Sequence, residues 1–270
     1  MKKKHALRAG IVIGLGFAVQ SAFAATATVQ YNGSANFGSG AVGYGSGSIW
    51  PNPSHPGTPV DLVGVGVGGD NFLNSPAPVT SLPTTFNAWC VDIFHWEVGG
   101  PITYTVGNAT DLAGHTDTAI IGSTTYSWSF SQARVNALSD LANERYSALS
   151  SKTDSAAFQL SVWAIMFGTP SSAGAYSLNS ATFSTSSGIT GGTEASTWLS
   201  TLGTASKTGN YGITYLYAPD PSSQDMVVFT PLHQQTPPVP EPETYAMLLA
   251  GLGLLGFIGR RRKLKATAIA

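Results

Sequence analysis

Phe86-Asn87-Ala88-Trp89-Cys90-Val91-Asp92-Ile93 is the stretch on which the fold turns. Its aromatic and β-branched residues favour extended backbone. The two-residue alternation of a strand sends Ala88, Cys90 and Asp92 to one side and Trp89, Val91 and Ile93 to the other. Working outward, strand-like pieces of the same character recur at Ala27 to Tyr31, Val60 to Val67, Ile102 to Val106, Thr124 to Phe130, Tyr211 to Tyr217 and Met226 to Thr230, with the central strand itself running to Phe94. Gly-rich and Pro-rich stretches at Gly33 to Gly47 and Pro51 to Pro59 read as loops. The period changes in the middle of the chain, where Val135, Leu138, Leu141, Ala142, Arg145 and Leu149 recur at helical steps behind a Ser129/Gln132 capping box. After a polar break at Ser150 to Thr153, Ala156, Leu160, Trp163 and Phe167 mark a second helical face that ends at Gly168 and Pro170. A mainly β fold, sandwich or barrel-like, with an inserted helical hairpin near 131–149 and 154–167 is therefore expected across residues 25–235, with a shorter helix around Glu194 to Leu202.

The two ends are of a different nature. Lys2, Lys3, Lys4 and Arg8 precede an apolar stretch from Ala9 to Val19, and Ala22-Phe23-Ala24 offers the small-x-small pattern that signal peptidase accepts, so residues 1–24 read as a signal peptide cut after Ala24. At the other end Val239-Pro240-Glu241-Pro242-Glu243 leads into an apolar run from Tyr245 to Ile258, followed by Arg260, Arg261, Arg262, Lys263 and Lys265. At about 1.5 Å per residue, a helix over 245–259 falls short of a hydrocarbon layer about 30 Å thick, which makes it a weak single transmembrane anchor. The cationic tip resists translocation and stays cytoplasmic, which places the body of the protein on the outer side of the inner membrane. Gly251, Gly253, Gly256 and Gly259 leave a smooth face against which another membrane helix packs closely.

Residues 236–265 resemble the PEP-CTERM sorting signal of Gram-negative bacteria that make extracellular polysaccharide, with Pro240-Glu241-Pro242 as the signature triplet. The resemblance implies recognition by exosortase, a membrane-embedded protease-transpeptidase, with cleavage near the triplet and passage of the mature protein to the cell surface or beyond. The same tail is also catalogued as an ice-binding protein C-terminal domain, a label that describes the tail and not an activity.

Between the two addresses only Arg134, Arg145, Lys152 and Lys207 are cationic, against twelve carboxylates, so the body carries a charge near minus eight with neutral His although the whole chain is at minus one. That balance excludes nucleic acid as a partner. The surface it implies is rich in hydroxyls and amides, as in many extracellular β-rich proteins.

Cys90 is the only cysteine, so in an oxidising compartment it has no internal disulfide partner and is buried and inert, paired with another molecule, or chemically committed. Ala157-Phe158-Gln159-Leu160-Ser161-Val162-Trp163 places an amide inside an apolar helical segment, and a buried amide needs a partner. Together the two segments resemble the thioester domains of bacterial surface adhesins, in which a Cys near a strand joins the Gln of a Thr-Gln-x-Ala-aliphatic-Trp motif. Gln159, Val162 and Trp163 match that motif, while Phe158 stands in place of Thr and Ser161 in place of Ala. The resemblance implies that Cys90 attacks the Gln159 carboxamide, ammonia leaves, and aromatic walls such as Trp89, Phe158 and Trp163 shield the thioester from water. A surface amine or hydroxyl then takes the acyl group in a single-use crosslink, without enzymatic turnover, and Asp92 or His95 is the acid/base group at hand.

The residues alone leave a second reading open: a lone Cys packs as a small hydrophobe, and a Gln on a helix bonds to a loop carbonyl. On that reading the protein is a non-covalent structural or polysaccharide-associated matrix component. A Cys90–His95 protease dyad lacks an orienting third group, the histidines lack paired ligand spacing, and Asp111 and Asp117 lack the pattern of a calcium loop, so neither a metal nor a cofactor is expected.

Overall fold

The computed structural model describes residues 25–35, 45–51, 62–74, 82–95, 100–121, 123–218 and 223–232. The expected signal peptide, the sorting signal and its transmembrane helix lie outside these residues; among the described residues no helix is long and apolar enough to cross a membrane. The chain divides into two units, Met1–Thr230 and Pro231–Ala270, and all that follows concerns the first.

In chain order the strands are β1 (Ala25–Ser34), β2 (Gly45–Pro51), β3 (Leu62–Val67), β4 (Asp70–Asn74), β5 (Thr85–Cys90), β6 (Ile102–Asn108), β7 (Thr116–Ile121), β8 (Thr124–Ser129), β9 (Phe183–Thr185), β10 (Tyr211–Tyr217) and β11 (Met226–Pro231). The helices are α1 (Ala109–Gly114), α2 (Gln132–Arg145), α3 (Lys152–Phe167) and α4 (Gly192–Ser200), with a 3₁₀ turn at Tyr146–Ala148 between α2 and α3. Six strands close a barrel in the order β1-β4-β5-β11-β10-β6. A three-stranded sheet, β3-β2-β9, and a β7-β8 hairpin complete the β framework.

The barrel follows from alternation. Ala27 and Val29, Phe72, Phe86 and Ala88, Tyr104, Leu216, and Met226 and Val228 recur at two-residue steps and fill one apolar cluster. The intervening residues of β5 face outward, where Trp89 packs on Phe158 of α3 at 4.6 Å between ring centroids. Helix α3 is buried without interruption from Ser155 to Phe167, the mark of a helix covered on all sides. It contacts β2, β3, β5, β9, α2 and α4.

Helix ends are capped by identifiable groups. The Ser151 side chain accepts from Asp154 N–H at the start of α3. At its end, the Arg134 guanidinium of α2 donates to the carbonyls of Ile165 and Gly168, placing a cation on the negative end of the helix. Two glycines permit close approach. A Cβ at Gly69 would stand 2.7 Å from the Trp89 ring, and one at Gly191, where φ is +79°, would stand 2.4 Å from the Ala157 nitrogen.

Several sequence expectations are revised. The central strand ends at Cys90 and not at Phe94, because the Asp92 carboxylate accepts the N–H groups of Phe94 and His95 and turns the chain. Ser129 closes β8, and Ser131 caps α2 instead. The Gly33–Gly47 loop gives up Gly33 and Ser34 to β1 and Gly45 to Gly47 to β2, and Pro51 belongs to β2 as well. Between sandwich and barrel, the larger sheet is a barrel.

Candidate functional site

Cys90 is the last residue of β5 and continues the lumen-facing row of Phe86 and Ala88 to the mouth of the barrel. On one side it pairs with Met226 of β11, and beyond it Val91 N–H donates to Asp225 C=O at 3.0 Å. On the other side β4 runs only as far as Asp70, which pairs with Ala88, so the pairing would put residue 68 opposite Cys90. The Gln159 carboxamide takes that place: Cys90 N–H donates to Gln159 Oε1 at 3.0 Å, and Gln159 Nε2 donates to Cys90 C=O at 2.8 Å. A side chain of α3 thus extends the ladder where a strand has stopped, which accounts for an amide in an otherwise apolar buried helix.

The sulfur has its own surroundings. Sγ donates to Gln224 Oε1 at 2.8 Å, and Asp70 Oδ2 lies 3.9 Å away. Gln224 Nε2 in turn donates to Asp92 C=O at 3.1 Å, fixing the orientation of that amide. Cys90, Asp70, Asp92, Gln159 and Gln224 are all buried. Trp89, Phe158 and Tyr146 form a mutually packed aromatic wall beside them, and burial pushes the Tyr146 phenol up to about 12, so it stays neutral. Trp163 lies one turn along α3 from Gln159, on the same face of the helix, and is 2% exposed.

Among the residues singled out from sequence, Cys90, Gln159 and Trp89 come together. Asp92 and His95 bond to one another through Oδ2 and Nδ1, and Asp92 also shapes the turn after β5. Asp70 and Gln224, which do contact the sulfur, were not foreseen. Asp70 reaches it only through the β4–β5 pairing, and Gln224 sits in a short polar segment with no periodicity. A second polar group lies one residue on, where Asp225 accepts from the Tyr215 hydroxyl and from Ala218 N–H at 2.8 Å, with His115 Nε2 3.7 Å from its Oδ2. Among the described residues no cluster of three His, Cys, Asp or Glu side chains is arranged to hold a metal ion.

The contact runs between the Gln159 side chain and the Cys90 backbone. A carboxamide that bonds both N–H and C=O of one strand residue lies near the plane of the strand, whereas that residue's side chain rises out of the plane. The Cys90 sulfur itself is engaged by Gln224 Oε1 at 2.8 Å, so attack on the Gln159 carbonyl would require it to leave that bond and turn about Cα–Cβ. The Cys90 N–H, already on Oε1, would stabilise negative charge developing on that oxygen.

Comparison with known proteins adds information at the far end of the chain. Residues 238–263 match the PEP-CTERM protein-sorting motif, so the chain carries that motif. It supports an exported, membrane-anchored precursor processed to the cell surface. No curated protein matches the chain. Among solved structures, the N-terminal thioester domain of a surface protein from Clostridium perfringens is similar at 9% sequence identity and a TM-score of 0.37, over 68% of this chain and 99% of that chain, a likeness too distant to decide fold or chemistry.

Proposed function

We propose that this protein is exported, cut by signal peptidase after Ala24, held briefly in the inner membrane by residues 245–259, released to the surface by exosortase near Pro240-Glu241-Pro242, and attached there covalently through a Cys90–Gln159 thioester. The observation that supports the attachment most is the carboxamide of Gln159 held on the backbone of Cys90 by two hydrogen bonds in a buried setting. The Cys90 sulfur attacks Gln159 Cδ, the C–N bond breaks and ammonia leaves. A surface amine or hydroxyl, such as that of an extracellular polysaccharide, later takes the acyl group and frees the thiol. Burial of both residues keeps water from the bond and also slows entry of the partner, so reaction with small amines should be slow and speed up under mild destabilisation.

Intact mass measurement tests the reading. The protein recovered from cells should be lighter than its sequence by one ammonia, about 17 Da, and methylamine should add its own mass and expose one thiol. Full sequence mass with a freely alkylated Cys90 would overturn it. That result would favour a second reading, a non-covalent structural matrix protein, which has its own support: both polar atoms of the Gln159 amide are bonded to the Cys90 backbone, and the thiol is turned to Gln224.

A further inference from the structure

Resting on the Cys90–Gln159 reading, we infer that Asp70 is the base that removes the Cys90 thiol proton, and that Gln224 restrains the sulfur in its unreacted position. One S–H faces two buried acceptors. It is engaged by Gln224 Oε1 at 2.8 Å, while Asp70 Oδ2 stands 3.9 Å off. Both acceptors are fixed: Asp70 in β4 between Ser34 of β1 and Ala88 of β5, and Gln224 by its bond to Asp92 C=O. A hydrogen bond that accepts from the neutral thiol favours the thiol over the thiolate, so Gln224 holds the nucleophile in its weaker form.

The proton balance closes within the site. As Sγ leaves Gln224 and bonds to Gln159 Cδ, its proton passes to Asp70 Oδ2, and the oxyanion on Oε1 is held by Cys90 N–H. The C–N bond then breaks, and the Asp70 acid returns the proton to the departing amide nitrogen, which leaves as ammonia. No oxidant or external co-reactant is consumed.

The test follows ammonia loss by intact mass while the full chain, recovered unfolded from inclusion bodies at its full sequence mass, refolds from denaturant across a range of pH. Asp70→Asn should slow the loss about a hundredfold, and Gln224→Ala should accelerate it several-fold; far-UV circular dichroism reports that each variant has refolded. Opposite signs are the expected result, since two merely structural residues would both slow the step. Equal slowing by both variants, or an unchanged rate in Asp70→Asn, overturns the inference while leaving the thioester standing. No ammonia loss from the unaltered chain sinks the parent reading. A second measurement uses Gln159→Ala, which has no carboxamide to attack. In that background the pH midpoint of Cys90 alkylation by iodoacetamide should fall when Asp70 becomes Asn, because a nearby carboxylate disfavours the thiolate. An unmoved midpoint removes Asp70 from the site.

Discussion

The barrel lumen and the layer around α3 are both buried and mainly apolar, yet they are built on different rules. The lumen is filled by aliphatic and aromatic side chains from six strands, each contributing every second residue, with buried Asp70 and Asn74 in the same alternation as Phe72 of β4. The α3 layer gathers Trp89, Trp128, Phe130, Phe158, Trp163 and Phe167 around a helix buried on every side, and it admits Ser155, Gln159 and Ser161. A closed sheet satisfies its own backbone, so its ladder needs no side chain to complete it. The α3 layer meets the barrel where β4 has stopped, and the amide of Gln159 is the group that settles the exposed end of β5. Cys90 stands at that seam, which is why a carboxamide and a thiol meet there and nowhere else among the described residues.

The largest expected effect falls on the α3 layer. Trp89 packs on Phe158 and Tyr146 with the backbone of Gly69 laid on its ring. Trp89→Ala should cost about 4 kcal/mol, with little scope for collapse because the glycine backbone cannot follow the ring. Urea unfolding followed by circular dichroism measures it, and a loss no greater than that of a lumen residue would dissolve the contrast. Leu216→Ala, fully buried in the lumen cluster, should cost about 3 kcal/mol and leave the Cys90–Gln159 contact intact. If its ammonia deficit vanishes as well, the two layers act as one unit.

Gln159→Leu sharpens the seam itself. It keeps the apolar volume but leaves Cys90 N–H and C=O without the partners they have now. Orphaning two buried backbone groups, set against the burial a leucine gains, should cost about 2 kcal/mol. Hydrogen exchange at the Cys90 amide should rise far more than at Ala88, which keeps its pairing with Asp70. Equal protection at both would mean that the ladder end is held by something other than the glutamine.

What the sequence made legible follows the same division. Strands with alternating aromatic and β-branched residues, such as Tyr211–Tyr217, were readable to the residue. The strand at Gly45–Pro51 was not, since its glycines carry no pattern, and Asp70-Asn71-Phe72-Leu73-Asn74 hides a buried strand behind polar side chains. Helix α1 did carry a signal, the Asn108/Asp111 capping box, in a stretch that otherwise reads as polar. Gln159 stood out because an amide is costly in an apolar helix. Asp70 and Gln224 did not, because what makes them neighbours of the sulfur is the pairing of β5 with β4 and with β11, which brings residues 70, 90 and 224 together across the chain.

The smallest effect lies at the rim of the α3 layer, and it is a matter of charge. Glu144 of α2 is 2% exposed; its Oε1 accepts from Gly203 N–H at 2.9 Å, while Oε2 has no hydrogen-bond partner. Burial raises its pKa above the ordinary 4.5, with the Gly203 bond and Arg145 working in the other direction. The folded state therefore keeps the proton at pH values where the unfolded chain has lost it. Stability is highest below about 4.5 as far as this group is concerned, falls as pH rises through the folded pKa, and is lower by a constant amount above it. Glu144→Gln retains an acceptor for Gly203 N–H and carries no charge, so it should match the unaltered protein in acid, exceed it slightly at neutral pH, and leave the thioester chemistry untouched. Urea midpoints of the two proteins across that range decide the matter. A constant difference at every pH would mean that Glu144 is not the group that titrates.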